Sequence, residues 1–228
     1  MGHHVRYYRA GTGPPVVLLH GGASDRRDWL GALEALADRF TLYAPDLVGF
    51  GETERRAAGY YLSEFIIFLE QFMETLGIGR ASLVGHSFGG RVALGLAVNR
   101  PDLVEKLVLV DAAGLGKTSK LGIVLVMMFN RLRTWLHRPQ PAPTFLAGED
   151  DDPDWACVED LPKIAAPTLI VWKRRDPYLP LANARRASRL IPDARLEIVP
   201  GTGHAPHKAD TDAFNRLLAA FLGNGGPG

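Results

Sequence analysis

Ser87 stands in Gly85-His86-Ser87-Phe88-Gly89, a G-x-S-x-G spacing reached at the end of the apolar run Ala81-Ser82-Leu83-Val84. A serine hydroxyl is a weak nucleophile, so it acts only when exposed, held still and within hydrogen-bond reach of a base. A tight strand-to-helix turn meets all three needs. A Cβ at Gly85 or Gly89 would meet the neighbouring strand or helix, which is why glycine flanks such a serine. The helix that follows also aims its first N–H groups at any oxyanion formed beside Ser87. The bare pattern arises by chance in about one chain in ten of this length. A plain glycine turn would read the same, so the remaining residues decide.

Three further features end apolar runs. His20-Gly21-Gly22 follows Val16 to Leu19, Asp176 follows Thr168 to Trp172 and Lys173-Arg174-Arg175, and His204 closes Pro200-Gly201-Thr202-Gly203-His204 after Arg195 to Val199. In a mostly parallel sheet such ends share one edge, so distant residues converge there. His204 then serves as general base and later acid toward Ser87, Asp176 fixes its tautomer, and the amides of Gly22 and Phe88 take the oxyanion. Asp111, at the end of Leu107 to Val110, is the alternative acid. His207 lies within reach of the same edge, whereas His86 is expected to point away from the chemistry. Cys157 has no elbow around it and reads as an inert thiol.

The elements that must position these groups alternate as strand and helix. Val5 to Tyr8 and Val16 to Leu19 read as strands around a Gly/Pro turn, Asp25 to Ala37 as a helix, and Thr41 to Ala44 as a strand. Phe65, Phe68, Leu69, Phe72 and Leu76 keep a helical period from Ser63 to Gly77, and these aromatics read as core. Ala182 to Leu190 and Asp210 to Leu222 are the last two helices. The rhythm breaks from Ala112 to about Pro162. There, Leu121 to Phe129 is nearly continuous apolar sequence, followed by Arg131, Arg133 and Arg138, a proline-rich stretch, and the acidic run Glu149 to Asp154, read as a solvated loop. Nine helical residues span about 14 Å against a hydrocarbon core of about 30 Å, so the apolar run is a lid or core helix, lining an acyl pocket or buried against the main domain.

With 46% hydrophobic and 22% charged residues in 228, the chain can bury one sizeable core. A formal net charge of +1 gives no reason to expect a nucleic-acid partner or an anionic membrane surface. A single cysteine excludes an intrachain disulfide, and residues 1–10 lack the apolar core of a secretory signal, so a cytoplasmic protein is expected. His3 and His4 read as a disordered terminus rather than a metal site.

The order Ser87, Asp176, His204, with H-G-G upstream, G-H-S-F-G-G at the elbow, W-K-R-R-D-P-Y-L-P and G-T-G-H-A-P-H, resembles the α/β-hydrolase superfamily along almost the whole chain. The resemblance implies an α/β fold with a mostly parallel sheet of seven or eight strands flanked by helices. It implies a core from 1–111 and 163–228, and a shortened cap over 112–162. Lys173 departs from the pattern, where glycine is common; Lys173 to Arg175 read as a solvated basic face, with attraction of an acidic substrate as the alternative. The family reading expects a serine hydrolase acting on a small-molecule carboxylic ester through an acyl-enzyme, without metal or cofactor and without a transmembrane segment. Lactonase, thioesterase, perhydrolase, interfacial lipase, carbon–carbon bond hydrolase and a ligand-binding receptor on the same fold are the alternatives. The carbon–carbon case is weakened by His86, since those relatives commonly carry asparagine before the serine.

Overall fold

The computed structural model describes residues 4–22, 24–54, 60–136 and 158–223. Along the chain these form β1 (Tyr7–Ala10), β2 (Pro15–Leu19), α1 (Leu30–Leu36), β3 (Thr41–Pro45), α2 (Leu62–Thr75), β4 (Ala81–His86) and α3 (Phe88–Asn99). They continue as β5 (Val104–Val110), α4 (Lys120–Trp135), β6 (Thr168–Arg175), α5 (Leu181–Leu190), β7 (Ala194–Thr202), α6 (Pro206–Ala209) and α7 (Thr211–Gly223). One sheet runs β1-β3-β2-β4-β5-β6-β7. Every pairing from β3 to β7 is parallel, and only β1 is antiparallel, with Tyr7 opposite Pro45 and Ala10 opposite Leu42.

Because successive strand residues face opposite sides, the apolar strands divide their side chains between two cores. Val17, Leu19, Leu83, Leu107, Leu109, Ile170 and Trp172 pack with α2, α3 and α5. Val16, Leu18, Val84, Val108, Val110, Leu169 and Val171 pack with α1 and α7. The helical period of α2 puts Phe65, Phe68, Leu69 and Phe72 into the first core, as their spacing required.

Several boundaries differ from the sequence reading for local reasons. The first strand begins at Tyr7 rather than Val5 and runs to Ala10, where Gly11 turns the chain at φ 76°. The first helix is split, with a 3-10 turn over Arg26–Trp29 capped by the Asp25 side chain before α1. The last strand continues through Pro200-Gly201 to Thr202; it is the sheet edge, where proline's missing N–H is tolerated. The apolar run beginning at Leu121 belongs to a longer helix. In α4, Leu121, Val124, Met128, Leu132 and Trp135 form an exposed stripe, so these side chains are not buried against the main domain. Cys157, the proline-rich stretch, the acidic run and His3 lie outside the described residues. Among the described residues, no helix is long and apolar enough to cross a membrane.

Close backbone approach between β2, β4 and α3 sets the position of the elbow. A Cβ at Gly85 would land on the backbone of Gly89, and one at Gly89 on the carbonyl oxygens of Leu19 and His20. Replacing Gly89 by Ala is expected to cost about 3 kcal/mol by prying α3 from β2. Urea unfolding measures this, and a loss below about 1 kcal/mol would mean that the helix can slide away.

Candidate active site

Ser87 joins β4 to α3 with φ 51° and ψ −115°, a backbone that a non-glycine residue adopts only under constraint. The constraints are hydrogen bonds on both sides. Ser87 N–H donates to the Val110 carbonyl at 2.9 Å, and the Ala113 N–H donates to the Ser87 carbonyl at 2.9 Å. The hydroxyl is therefore presented at the carboxyl edge of the sheet, beside the ends of β6 and β7.

The structure brings the three predicted side chains together. His204 Nε2 lies 2.8 Å from Ser87 Oγ, and His204 Nδ1 lies 2.6 Å from Asp176 Oδ2. With Asp176 ionised, Nδ1–H donates to it, leaving the Nε2 lone pair to accept the serine proton. Asp176 is held in turn by the amides of Tyr178 and Leu179, which donate to Oδ1 at 2.7 and 3.1 Å. The loop after it is fixed by Trp172, whose Nε1–H donates to the Leu179 carbonyl. It also carries the start of α4. Ser119 Oγ donates to the Pro177 carbonyl and accepts from Gly122 N–H.

The His20-Gly21-Gly22 loop abuts the elbow, since a Cβ on Gly21 would stand 3.2 Å from Ser87 Cβ and one on Gly22 would stand 3.9 Å from Phe88 Cβ. Phe88 is the first residue of α3, where backbone N–H groups lie outside the helical ladder. His20 holds this loop in place: its Nδ1–H donates to the Gly21 carbonyl at 2.8 Å, and its Nε2 accepts from Leu47 N–H at 3.0 Å. Burial keeps its imidazole below the usual pKa, and thus neutral for that paired role.

Two sequence expectations change here. His86, expected to point away from the chemistry, instead lies beside His204: the ring centroids are 5.1 Å apart, and its Nε2–H donates at 2.5 Å to the backbone carbonyl of His204. The residue before Ser87 thus holds the loop that carries His204. Lys173 is not part of a solvated face. Its side chain is buried and Nζ donates to the Pro200 carbonyl at 3.1 Å, joining the ends of β6 and β7, while Arg174 and Arg175 remain exposed. His207 is buried beneath the site, and its nitrogens make no hydrogen bond to Ser87 or Asp176.

Asp111 ends β5 at φ 39° and lies fully buried. Its Oδ1 accepts the Lys173 N–H at 2.8 Å, and Oδ2 has no partner. Ligand atoms of Asp111, Asp176 and His204 lie within 4.8 Å of one another, yet the His204 hydrogen bond goes to Asp176. Burial, with the Asp176 charge beside it, pushes the Asp111 carboxyl up to about 8. It is a neutral acid at pH 7.

Residues 14–140 match the family described as the alpha/beta hydrolase fold. The chain belongs to this family. Residues 147–227 match a second description, TAP-like protein. Among curated relatives of this hydrolase, a 2-hydroxy-6-oxo-6-phenylhexa-2,4-dienoate hydrolase from Burkholderia cepacia is 29% identical, covering 95% of this chain and 90% of that one. The dihydrolipoyllysine-residue acetyltransferase component of an acetoin cleaving system from Cupriavidus necator is 31% identical over 97% of this chain and 67% of its own. A solved meta-cleavage product hydrolase from Pseudomonas fluorescens superposes with TM-score 0.78 at 28% identity, covering 96% of this chain and 94% of that one.

The Asp111 carboxyl ionises near 3.8 when unfolded and near 8 in the fold. Between those values the unfolded chain has lost a proton that the native chain keeps, so this group's contribution falls as pH rises and levels off above 8. Asp111→Asn keeps the Oδ1 acceptor and cannot ionise. Its stability relative to wild type should rise from pH 5 to pH 8 by about 1 to 3 kcal/mol, read by urea unfolding at each pH. A difference independent of pH would mean that Asp111 is ionised in the native protein.

Proposed function

We propose that this hydrolase cleaves small carboxylic esters through an acyl-enzyme, with Ser87 as nucleophile, His204 as general base and acid, and Asp176 as its orienting carboxylate. The 2.8 Å contact between His204 Nε2 and Ser87 Oγ, with Nδ1 held by Asp176, carries this reading. Ser87 Oγ attacks the ester carbonyl as its proton passes to Nε2. The oxyanion is met by the amides of Gly22 and Phe88. Collapse expels the alcohol, which takes the proton from His204. Water then attacks the acyl carbon as His204 takes its proton, and His204 returns that proton to Ser87 Oγ as the acid leaves.

A second reading is favoured by the names of the relatives. The hydrolases from Burkholderia cepacia and Comamonas testosteroni are named for 2-hydroxy-6-oxo dienoates, whose cleavage breaks a carbon–carbon bond. His86 argues against that specialisation here. The resemblance implies asparagine before the serine in carbon–carbon bond hydrolases, whereas this chain has a histidine there and commits it to the His204 carbonyl.

p-Nitrophenyl esters from acetate to palmitate, assayed beside 2-hydroxy-6-oxo-6-phenylhexa-2,4-dienoate, test both readings. Ester turnover should exceed dienoate cleavage in kcat/KM and vanish in Ser87→Ala along with fluorophosphonate labelling. A dienoate preference of tenfold or more would transfer the assignment to carbon–carbon cleavage.

Asp176→Asn should lower kcat about 10⁴-fold by favouring the wrong imidazole tautomer. Asp111→Asn should stay within about tenfold of wild type, because neither side chain there carries charge at pH 7. The reverse ranking would make Asp111 the working acid.

A further inference from the structure

Beneath the triad lies a second group of ligand-type side chains that the hydrolytic mechanism does not use. Asp28, His86 and His207 each offer a ligand atom, all within 4.8 Å of one another. Three atoms that close share a centre no more than about 2.8 Å from each, near enough for small side-chain rotations to reach metal–ligand distances of about 2.0 to 2.2 Å. Buried polar atoms are nearly always partnered. Here Asp28 Oδ2, His86 Nδ1 and both nitrogens of His207 are buried with no hydrogen-bond partner.

The outer contacts of these residues are those of metal ligands. A ligating histidine usually donates its other ring N–H to a carbonyl or carboxylate, which fixes the tautomer. His86 does so with Nε2–H, on the His204 carbonyl, and its Nδ1 lone pair is left facing the cluster. Asp28 gives Oδ1 to Lys208 and keeps Oδ2. The His207 ring is clamped by stacking on Trp29, with centroids 4.7 Å apart, and lies 4.5 Å from the His86 ring. Gly21 leaves the space open, since a Cβ there would stand 2.8 Å from His86 Nδ1. A cavity of about 120 Å³, lined in part by Asp28, His207, Lys208, Thr211 and Asn215, adjoins the cluster and provides room for entry and for a water ligand.

The geometry points to a buried zinc-type site, in which Asp28, His86 and His207 bind one divalent transition-metal ion with a water from the cavity as fourth ligand. Two imidazoles and one carboxylate oxygen suit zinc or cobalt, whereas magnesium and calcium seek all-oxygen sets. The ion takes no part in bond cleavage. It braces His86, and through it the backbone of His204, so its role is to stiffen the loop that carries the base.

The test uses the full chain with His3→Gln and His4→Gln, which removes the adjacent terminal histidines, stripped with EDTA and titrated with cobalt(II) and zinc(II). One cobalt per chain should bind with the intense visible bands of a four-coordinate ion, be displaced by zinc, and raise the Tm. His207→Gln should abolish those bands, and Asp28→Asn should weaken binding at least tenfold. Asp28→Asn preserves side-chain shape, so it carries the test if His207→Gln does not fold. Ser87→Ala should bind cobalt as wild type does, so the site stands or falls separately from the proposed hydrolysis. No saturable uptake at micromolar cobalt, weak six-coordinate bands, or uptake unchanged in the folded variants would overturn the site.

Discussion

The structure depends on one unfavourable piece of backbone. Ser87 adopts φ 51° because β4, inside a parallel sheet, must pass directly into α3, and no relaxed conformation connects them so tightly. The strain is sustained by what surrounds it. Gly85, Gly89 and Gly90 let the helix lie against β2 and the residues after β5, where any Cβ would strike backbone or Ala112. The carbonyl of Val110 and the amide of Ala113 lock the turn from the neighbouring strand. Ser87 is thus oriented by the backbone of the sheet.

The same sheet edge explains why residues 89 and 117 positions from Ser87 become its partners. Asp176 and His204 terminate adjacent parallel strands, and adjacent ends are joined by Lys173 on the Pro200 carbonyl and by Gly203 N–H on the Arg175 carbonyl. Lys173 occupies a position where a solvated cation was expected. Its ammonium instead caps a carbonyl of the histidine loop, and its own amide holds Asp111. A charge run in sequence does not reveal which of its members is turned inward, because the continuous burial of β6 extends one residue beyond the apolar run.

The meeting of Ser87, Asp176 and His204 and the parallel sheet were legible because each is carried by a local pattern: an apolar strand ending in a turn at the sheet's carboxyl edge. Three kinds of feature were not. Strand ends on the sheet's edges are decided by pairing partners, so β1 and β7 moved by two or three residues relative to their apolar cores. Burial of α4 depended on tertiary contact, and a nearly continuous apolar run does not say which face meets the domain; the stripe from Leu121 to Trp135 faces outward. The struts His20 and His86 act through backbone carbonyls and amides of segments distant in sequence, contacts that no spacing encodes.

Four histidines gather near this edge, and burial divides their labour. His20 is fully buried and pins the H-G-G loop as a neutral donor and acceptor. His86 is held well below the usual imidazole pKa by burial and by the neighbouring histidines, so it remains an uncharged donor to the His204 carbonyl across the working pH range. His207 is lowered to about 3, first by burial and then by Lys208. Of the four, His204 combines partial exposure, at 21% of its side chain, with a buried carboxylate partner on Nδ1. Three of the four imidazoles are thus held neutral by burial, and His204, the one at hydrogen-bond distance from Ser87, differs from them in environment as well as in position.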